Sequence, residues 1–314
     1  LQLNRYPQPQ PADLRARLAS LYGVEEAQTL VTRGSDEGID LLTRVFCRAG
    51  RDAVIECPPC FGMYRIAATI QGARVIGVPR RAAQGFAIDF AALERQLDAS
   101  DPVRLVFLTS PNNPTGDVVG RPALASLLEK CRGRALVVLD EAYIEFCEAA
   151  SAADLIARWP NLVVLRTLSK AWAAAGLRCG AVLADEQVIG LLQRVMAPYP
   201  LPATTVAAAL QATSAAAQDA QRRMLAQVRA EKAALVDFLR GCHWVTELWE
   251  GQANFVLVRL ADAAALTDWC AARGIRIRDF SGSPGLDGCV RLSIGSQAEM
   301  SALTAALRDF GDAS

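Results

Sequence analysis

Short apolar runs alternate with segments of helical periodicity as far as residue 202. The runs are rich in Val, Leu and Ile and show little polar alternation, which is typical of strands buried on both faces. They lie at 53–56, 73–78, 103–109, 135–140, 162–167 and 179–184. Helical patterns begin between them, near Asp36, Phe61, Phe90, Arg121, Ala152 and Glu186. This alternation predicts an α/β fold with a largely parallel sheet covered by helices, in which ligands bind at the carboxyl ends of the strands.

The pattern changes after Ala203. A long helical stretch continues to about Arg240, and four strand-like segments with two further helical segments follow it. This part predicts a smaller α+β domain, and we expect the early helical segment PADLRARLASLYG to pack against it. The expected division is a large cofactor-binding α/β domain at 25–202 and a small α+β domain made of 1–24 and 203–314.

The composition limits the partners of the protein. The chain has 314 residues, of which 52% are hydrophobic and 21% charged, so it can bury a large core. The formal net charge is zero and no basic run occurs, so nucleic acid is not an expected partner. No apolar run reaches membrane-spanning length, so we expect no membrane partner either.

The cysteines and the histidine limit the chemistry. Nine cysteines, scattered through apolar segments, indicate reduced thiols and a cytoplasmic location. Cys57 and Cys60 form a lone CxxC pair and His243 is the only histidine, so no metal site is expected. A redox pair at CxxC stays open as an alternative. A single histidine also argues against a Ser-His-Asp hydrolase.

Lysine is scarce, which makes its positions informative. Of the 33 Lys and Arg residues, only Lys130, Lys170 and Lys232 are lysines. An arginine stays protonated and forms no imine with a carbonyl, so it cannot replace a reactive lysine. Lys130 and Lys232 each follow a glutamate in a helical segment, and we interpret both as solvated helix charges. Lys170 lies among Leu, Ala and Trp, where burial would lower its pKa and free the amine; an ordinary surface lysine is the alternative.

Three polar clusters fall at the ends of predicted strands. They are TSPNNPTG at 109–116, DEAY at 140–143 and TLSK at 167–170. Taken singly, they fit a β-turn, a helix N-cap and a surface lysine. Taken together, they place amide, carboxylate, phenol and amine groups where a parallel sheet binds its ligand, and they therefore predict an active site.

These motifs resemble the fold type I pyridoxal-phosphate aminotransferases, and most closely the histidinol-phosphate branch of that family. The stretches SPNNPTG, DEAYIEF and TLSKAWAAAGLRCG carry the resemblance. LNRYPQPQ, VTRGSDEGIDLL, CPPCFGMY, APYPLPATTVA, GQANFVLVRL, GIRIRD and CVRLSIGS follow the family order as well. The resemblance spans almost the entire chain and implies a large domain with a mostly parallel seven-stranded sheet beside a smaller α+β domain.

The resemblance also implies which residues hold pyridoxal 5′-phosphate and catalyse the reaction. Lys170 would bind the cofactor as an internal aldimine and then move the proton, and Asp140 would keep the pyridine nitrogen protonated. Asn113 and Tyr143 would hydrogen-bond the phenolic oxygen of the cofactor, and Phe61 would stack on its ring. Without the family, an aromatic residue in FGMY would be read as a core residue.

A phosphate site is expected where GSDEG precedes the helical segment IDLLTRVF, because free backbone N–H groups at a helix start suit an anion. GSDEG matches neither the dinucleotide fingerprint nor the P-loop. By resemblance, the phosphate would be held by backbone amides of Ser35 and Asp36. The hydroxyls of Thr167 and Ser169 and the guanidinium of Arg178 would complete the site. Tyr6 resembles a tyrosine that reaches the phosphate of the neighbouring subunit, which implies a homodimer with a shared active site.

Substrate recognition falls, by resemblance, to Arg278, Arg291 and Asn254 on the late strands. Paired guanidinium groups would hold a phosphate or a carboxylate. The implied reaction exchanges L-histidinol phosphate and 2-oxoglutarate for imidazole-acetol phosphate and L-glutamate, by a ping-pong route in histidine biosynthesis. The alternatives are an aromatic aminotransferase, a phospho-amino-acid decarboxylase on the same fold, and a non-catalytic aminotransferase-like regulator.

Overall fold

The computed structural model describes residues 3–99 and 102–313. Its helices are α1 (Ala12–Tyr22), α2 (Gly34–Phe46), α3 (Met63–Gln71), α4 (Phe90–Asp98), α5 (Arg121–Cys131), α6 (Glu186–Val195), α7 (Ala203–Ala212), α8 (Ala215–Arg240), α9 (Ala263–Ala272) and α10 (Gln297–Ala313). Its strands are β1 (Thr29–Thr32), β2 (Ala53–Glu56), β3 (Arg74–Gly77), β4 (Val103–Thr109), β5 (Leu136–Asp140), β6 (Leu162–Thr167), β7 (Gly180–Ala184), β8 (Glu247–Trp249), β9 (Phe255–Arg259), β10 (Arg278–Asp279) and β11 (Cys289–Ser293). The helix and strand pattern predicted for the chain up to residue 202 is confirmed, except that β1 was missed and 152–155 forms only a 3₁₀ turn.

Several helix ends are set by local sequence. Asp89, Ser214 and Asp262 each accept a hydrogen bond from a backbone N–H in the first turn of the helix that follows. These caps satisfy donors that a helix start leaves without a partner. Ser214 begins α8, so the long helical stretch expected to continue to Arg240 is divided into α7 and α8.

A seven-stranded sheet forms the large part of the molecule, in the order β1-β7-β6-β5-β4-β2-β3. Strand β7 runs antiparallel to β1 and β6, and the other neighbours are parallel, so the mostly parallel sheet expected from the sequence is confirmed. Buried side chains of α1, α4, α5 and α7 cover one face of the sheet, and those of α2, α3 and α6 cover the other. Strand β1 was missed because its four residues, Thr-Leu-Val-Thr, contain no apolar run.

The order of the central strands brings the three polar clusters together. Strands β4, β5 and β6 are adjacent and parallel, so their carboxyl ends meet at one edge of the sheet. Strand β1 points the same way, because it pairs antiparallel with β7, which itself pairs antiparallel with β6. Helix α2, which follows β1, therefore begins at this same edge.

A second, antiparallel sheet has the order β10-β11-β9-β8. Side chains of α8, α9 and α10 share a core with it, together with Tyr143 and Phe146 from the large part of the chain. This shared core places the late strands beside the carboxyl edge of the large sheet.

The N-terminal helix packs differently from the expectation. We expected 1–24 to lie against the small domain, but Leu14, Leu18 and Tyr22 of α1 lie in the core of the large sheet, where Ala209 of α7 also packs. The physical reason is that the open face of the large sheet needs a cover, which the apolar sides of α1 and α7 provide. Leu1 and Gln2 lie outside the described residues. The domain boundaries therefore stay a prediction, and the packing of α1 argues for assigning it to the large unit.

Within the residues described, the structure contains no helix that combines the length and apolar character needed to cross a bilayer.

Candidate active site

Strand β5 ends at Asp140, a buried acidic residue with only 3% of its surface exposed to solvent. The hydroxyl of Tyr64 donates to Oδ2 at 2.8 Å, and the backbone N–H of Ala142 donates to Oδ1 at 3.1 Å. Burial raises the pKa of Asp140 to about 6, although these two hydrogen bonds favour the ionised form. Among the described residues, no side chain forms an ion pair with Asp140. The site therefore holds an acid that a cationic group would stabilise.

A small cavity of about 160 Å³ opens over Asp140. Every residue predicted to contact the cofactor lines it, with the exception of Tyr6; these are Ser35, Asp36, Phe61, Asn113, Asp140, Tyr143, Thr167, Ser169, Lys170 and Arg178. They come from the start of α2, the segment before α3, and the ends of β4, β5 and β6. The structure thus brings residues separated by more than a hundred positions into one site.

One end of the cavity is rich in hydrogen-bond donors. Gly34 begins α2 with a positive φ of 75°, and a Cβ there would lie 2.8 Å from Nη2 of Arg178. The guanidinium of Arg178 lies 3.0 Å from the Asp36 carboxylate, and the Thr167 hydroxyl donates to Ser169 Oγ at 2.9 Å. A helix start, two hydroxyls and a guanidinium close together would suit a phosphate group.

The lining of the cavity also carries an amine and a phenol. Lys170 Nζ lies 5.3 Å from the ring centre of Tyr143, which is buried and packs edge-to-face on Phe255 at 5.2 Å. Asn113 Oδ1 accepts a hydrogen bond from Arg291 Nη1 at 2.6 Å. Arg291 thereby connects the small sheet to the edge of the cavity.

Arg278 and Arg291 face each other across two strands. They are register partners in the antiparallel pair β10–β11. Burial lowers the pKa of Arg291, and the nearby charge of Arg278 acts in the same direction. Like charges placed opposite each other on adjacent strands destabilise a sheet. Such a pair therefore favours an anionic group between or beside the two guanidinium groups.

Known proteins resemble this chain over nearly its full length. Residues 2–307 match the family described as aminotransferase class I and II. The chain belongs to the class I and II aminotransferases. A histidinol-phosphate aminotransferase from Aeromonas hydrophila is 50% identical over 307 residues, which cover 98% of this chain and 85% of that protein.

Solved structures show the same fold for this aminotransferase. The histidinol-phosphate aminotransferase from Clostridium acetobutylicum superposes with a TM-score of 0.90 at 21% identity, over 99% of this chain and 92% of that one. The enzyme from Sinorhizobium meliloti, solved in complex with pyridoxal-5′-phosphate, superposes with a TM-score of 0.87 at 25% identity, over 99% of this chain and 84% of that one. The fold type I expectation is confirmed.

Pyridoxal 5′-phosphate is the cofactor of this family, and the residues present in the aminotransferase fit it. The buried Asp140 forms no ion pair with any of the described side chains, which suits a protonated pyridine nitrogen. The donors around Gly34 suit the phosphate, and Lys170 supplies an amine at the same cavity. The protein is a pyridoxal-phosphate-dependent transaminase that acts on small molecules.

Some predicted site residues have surroundings other than those expected. Lys170 is exposed, so the prediction that burial by this chain shields its amine from water is wrong. Tyr6 is 81% exposed, stacks on Tyr199 at 4.5 Å and does not line the cavity. Asn254 is half-buried outside the cavity lining, and Arg278 is exposed. The roles of these residues stay predictions.

Tyr64 was missed as a site residue, although it contacts Asp140 directly. Its only signal in the sequence is its position three residues after Phe61, at the start of a helical pattern. That position is equally typical of a core aromatic, so only the tertiary structure separates the two readings.

Lys232 is not the solvated charge that its sequence context indicated. It is half-buried and donates to the backbone oxygens of Gly251 at 2.9 Å and Ala253 at 2.8 Å. Burial lowers its pKa to about 8. The amine fastens α8 to the loop that precedes β9 and lies outside the cavity over Asp140.

Proposed function

We propose that this aminotransferase converts L-histidinol phosphate and 2-oxoglutarate to imidazole-acetol phosphate and L-glutamate in histidine biosynthesis. The observation that carries the proposal is the register pair Arg278 and Arg291, of which Arg291 donates a hydrogen bond to Asn113 in the cavity lining. The pair suits the phosphate of one substrate and a carboxylate of the other in alternate half-reactions. The relatives named histidinol-phosphate aminotransferase support the same substrate.

Pyridoxal 5′-phosphate, when bound, supplies an aldehyde that condenses with amines and a ring that withdraws electrons. Asp140, held by Tyr64 and Ala142, would keep a proton on the ring nitrogen. Asn113 and Tyr143 would orient the ring through its phenolic oxygen, with Phe61 against its face. The start of α2 and Arg178 would fix the phosphate end.

Lys170 would be both the anchor and the proton carrier. Its Nζ lies at the cavity, beside the ring of Tyr143. Once a substrate amine has taken its place, the free amine of Lys170 would take the proton from the amine-bearing carbon of the substrate and would deliver it to C4′ of the cofactor. A neutral amine is required for that step, and a side chain at the cavity loses solvent contact when ligands fill the site.

We also propose a homodimer in which Tyr6 reaches the phosphate of the neighbouring subunit. Support comes from large apolar and aromatic side chains that this chain leaves exposed to solvent. Leu3 is 73%, Tyr6 81% and Tyr199 45% exposed, and the rings of Tyr6 and Tyr199 stack on each other. Mixing inactive Tyr6→Ala and Lys170→Ala chains would restore part of the activity if each site uses both subunits. No recovery after confirmed subunit exchange would contradict the shared site.

A cytoplasmic location is part of the proposal, and the nine free thiols support it because a reducing compartment preserves them.

The test of the substrate compares three amines with the purified, cofactor-loaded protein. We expect kcat/KM for histidinol phosphate to exceed that for phenylalanine by about 100-fold or more, because the single negative charge of the phenylalanine carboxylate pairs with two guanidinium groups less strongly than a doubly charged phosphate does. O-phosphothreonine should release no carbon dioxide. A preference for phenylalanine would favour an aromatic aminotransferase, and carbon dioxide release would favour a decarboxylase; either result would overturn the proposed substrate.

A further inference from the structure

Tyr64 lies where two parts of the candidate site meet. It is in the first turn of α3, has no solvent exposure, and places its hydroxyl 2.8 Å from Asp140 Oδ2 and 2.8 Å from Thr109 Oγ1. Its ring stacks on Phe107 at 4.8 Å and meets Phe61 edge-on at 5.8 Å. Packing on two sides therefore fixes where the hydroxyl points.

Counting protons gives the direction of the hydrogen bonds. Burial raises the pKa of Tyr64 well above its ordinary value, so the phenol keeps its single proton. An ionised Asp140 accepts only, so Tyr64 donates to Asp140 and accepts from the Thr109 hydroxyl. Such a chain of hydroxyls polarises its last donor and strengthens the bond to the carboxylate.

The carboxylate of Asp140 is held at both oxygens. Tyr64 occupies Oδ2 and the N–H of Ala142 occupies Oδ1, which leaves one lone pair on each oxygen for a further donor. Two anchors fix the plane of the carboxylate before any ligand binds. The carboxylate is therefore preorganised, because it need not reorient when a ligand binds.

We propose that Tyr64 is a positioning residue for transamination, whose hydroxyl holds the Asp140 carboxylate ionised and oriented toward the pyridine nitrogen of the cofactor. The proposal rests on the proposed function only in assigning Asp140 to that nitrogen. The hydroxyl acts through Asp140 and touches neither substrate nor reacting carbon.

The physical reason is competition for one proton. The carboxylate of Asp140 would share a proton with the ring nitrogen of the bound cofactor, and a more basic carboxylate would draw that proton away from the ring. The Tyr64 hydroxyl lowers the pKa of Asp140 against the effect of burial, while Asp36 raises the pKa and Lys170 lowers it. Loss of the hydroxyl would therefore leave the ring less cationic and a weaker acceptor of electrons.

Tyr64→Phe is the direct test, because it keeps the ring and its stacking and removes only the hydroxyl. Tyr22→Phe is the matched control, since it also removes a buried phenol oxygen. That oxygen has no hydrogen-bond partner among the described residues and lies outside the cavity lining. Thr109→Val removes the hydroxyl that donates to Tyr64, and it should raise the pKa of Asp140 as Tyr64→Phe does, but by less. It also keeps the proposal testable if Tyr64→Phe does not fold.

The first readout needs no cofactor. Carbon-13 NMR of labelled aspartate in the cofactor-free protein should show Asp140 titrating at a higher pH in Tyr64→Phe than in the wild type. The second readout is binding: we expect about 10-fold weaker affinity for pyridoxal 5′-phosphate, as for loss of one hydrogen bond to a charged group. The third is kinetic: kcat should fall about 10-fold while KM changes little.

The outcomes separate the two proposals. If Asp140 titrates in Tyr64→Phe as it does in Tyr22→Phe, and cofactor affinity stays within about twofold of the wild type, the positioning role is overturned. If Tyr64→Phe does not fold and Thr109→Val leaves the titration of Asp140 unchanged, the role is overturned as well. A wild-type preference for another substrate would refute the proposed function and leave the titration result standing.

Discussion

The buried carboxylate of Asp140 should make the cofactor-free protein less stable than it would be with an uncharged residue there. We consider Asp140→Asn, which preserves shape and cannot ionise. The oxygen of the new amide can accept the hydrogen bond from the backbone N–H of Ala142. The amide nitrogen can donate to the hydroxyl of Tyr64, which can then donate to Thr109, because either hydroxyl can be the donor in the Tyr64–Thr109 hydrogen bond. The substitution therefore removes the charge without leaving a buried polar group unpaired.

The magnitude follows from the pKa of Asp140. Burial raises the pKa from 3.8 to about 6 in the folded protein. Since the folded pKa is raised, the stability contribution is present below pH 3.8 and is lost as the pH rises through about 6. At about 1.4 kcal/mol for each pKa unit, the ionised carboxylate costs about 3 kcal/mol at pH 8. At pH 5 roughly half of that cost remains, because the folded protein then binds the proton.

Urea denaturation of the cofactor-free proteins at pH 8 and pH 5 measures the effect. Asp140→Asn should be more stable than the wild type by about 3 kcal/mol at pH 8, with roughly half that advantage at pH 5. Asp52→Asn is the control of opposite sign, because the hydrogen bond from Arg48 holds the pKa of the buried Asp52 carboxyl below its ordinary value, so that charge stabilises the fold and its removal should destabilise the protein. With cofactor added, Asp140→Asn should lose about 100-fold or more in kcat.

Two results would refute this reasoning. One is an Asp140→Asn protein that is no more stable than the wild type at pH 8. The other is an advantage that does not change between pH 8 and pH 5, since a titrating carboxylate must produce a pH-dependent difference.

Three further predictions follow from the same geometry. Lys170→Ala should abolish both transamination, measured in a coupled assay, and the visible absorption of the protein-bound cofactor, measured in an absorption spectrum. The control Lys130→Ala, on helix α5, should change neither. Arg291→Gln should raise KM for both substrates by about 100-fold in initial-rate assays, and an unchanged KM for either one would count against the paired-arginine site. Gly251→Ala should destabilise the protein by about 2 kcal/mol or more in urea denaturation, because its Cβ would overlap the neighbouring backbone, while Gly190→Ala, which has open space in a helix, should be neutral or stabilising.

The strands and the motif residues were accessible to sequence reasoning for a physical reason. Strands buried on both faces must be apolar throughout, so β4, β5 and β6 are visible as runs of Val and Leu. A charged residue at the end of such a run, such as the buried Asp140, is costly in a core and therefore signals a site. The order of the same motifs along the chain was enough to indicate the family.

Other features depend on contacts between distant segments. Tyr64 became a site residue only because α3 places it against the end of β5, and Lys232 became half-buried only because the loop before β9 folds over it. The exposure of Lys170 and the packing of α1 on the large sheet were likewise not predictable from their local sequence.

Local hydrophobicity and chain order were sufficient to predict the βα alternation, the identity of the reactive groups and the edge of the sheet at which they collect. Which side chain supports Asp140, how far the amine is shielded and which sheet the first helix covers became apparent from the folded structure alone. Those outcomes depend on the burial and electrostatics that packing creates between residues far apart in the chain.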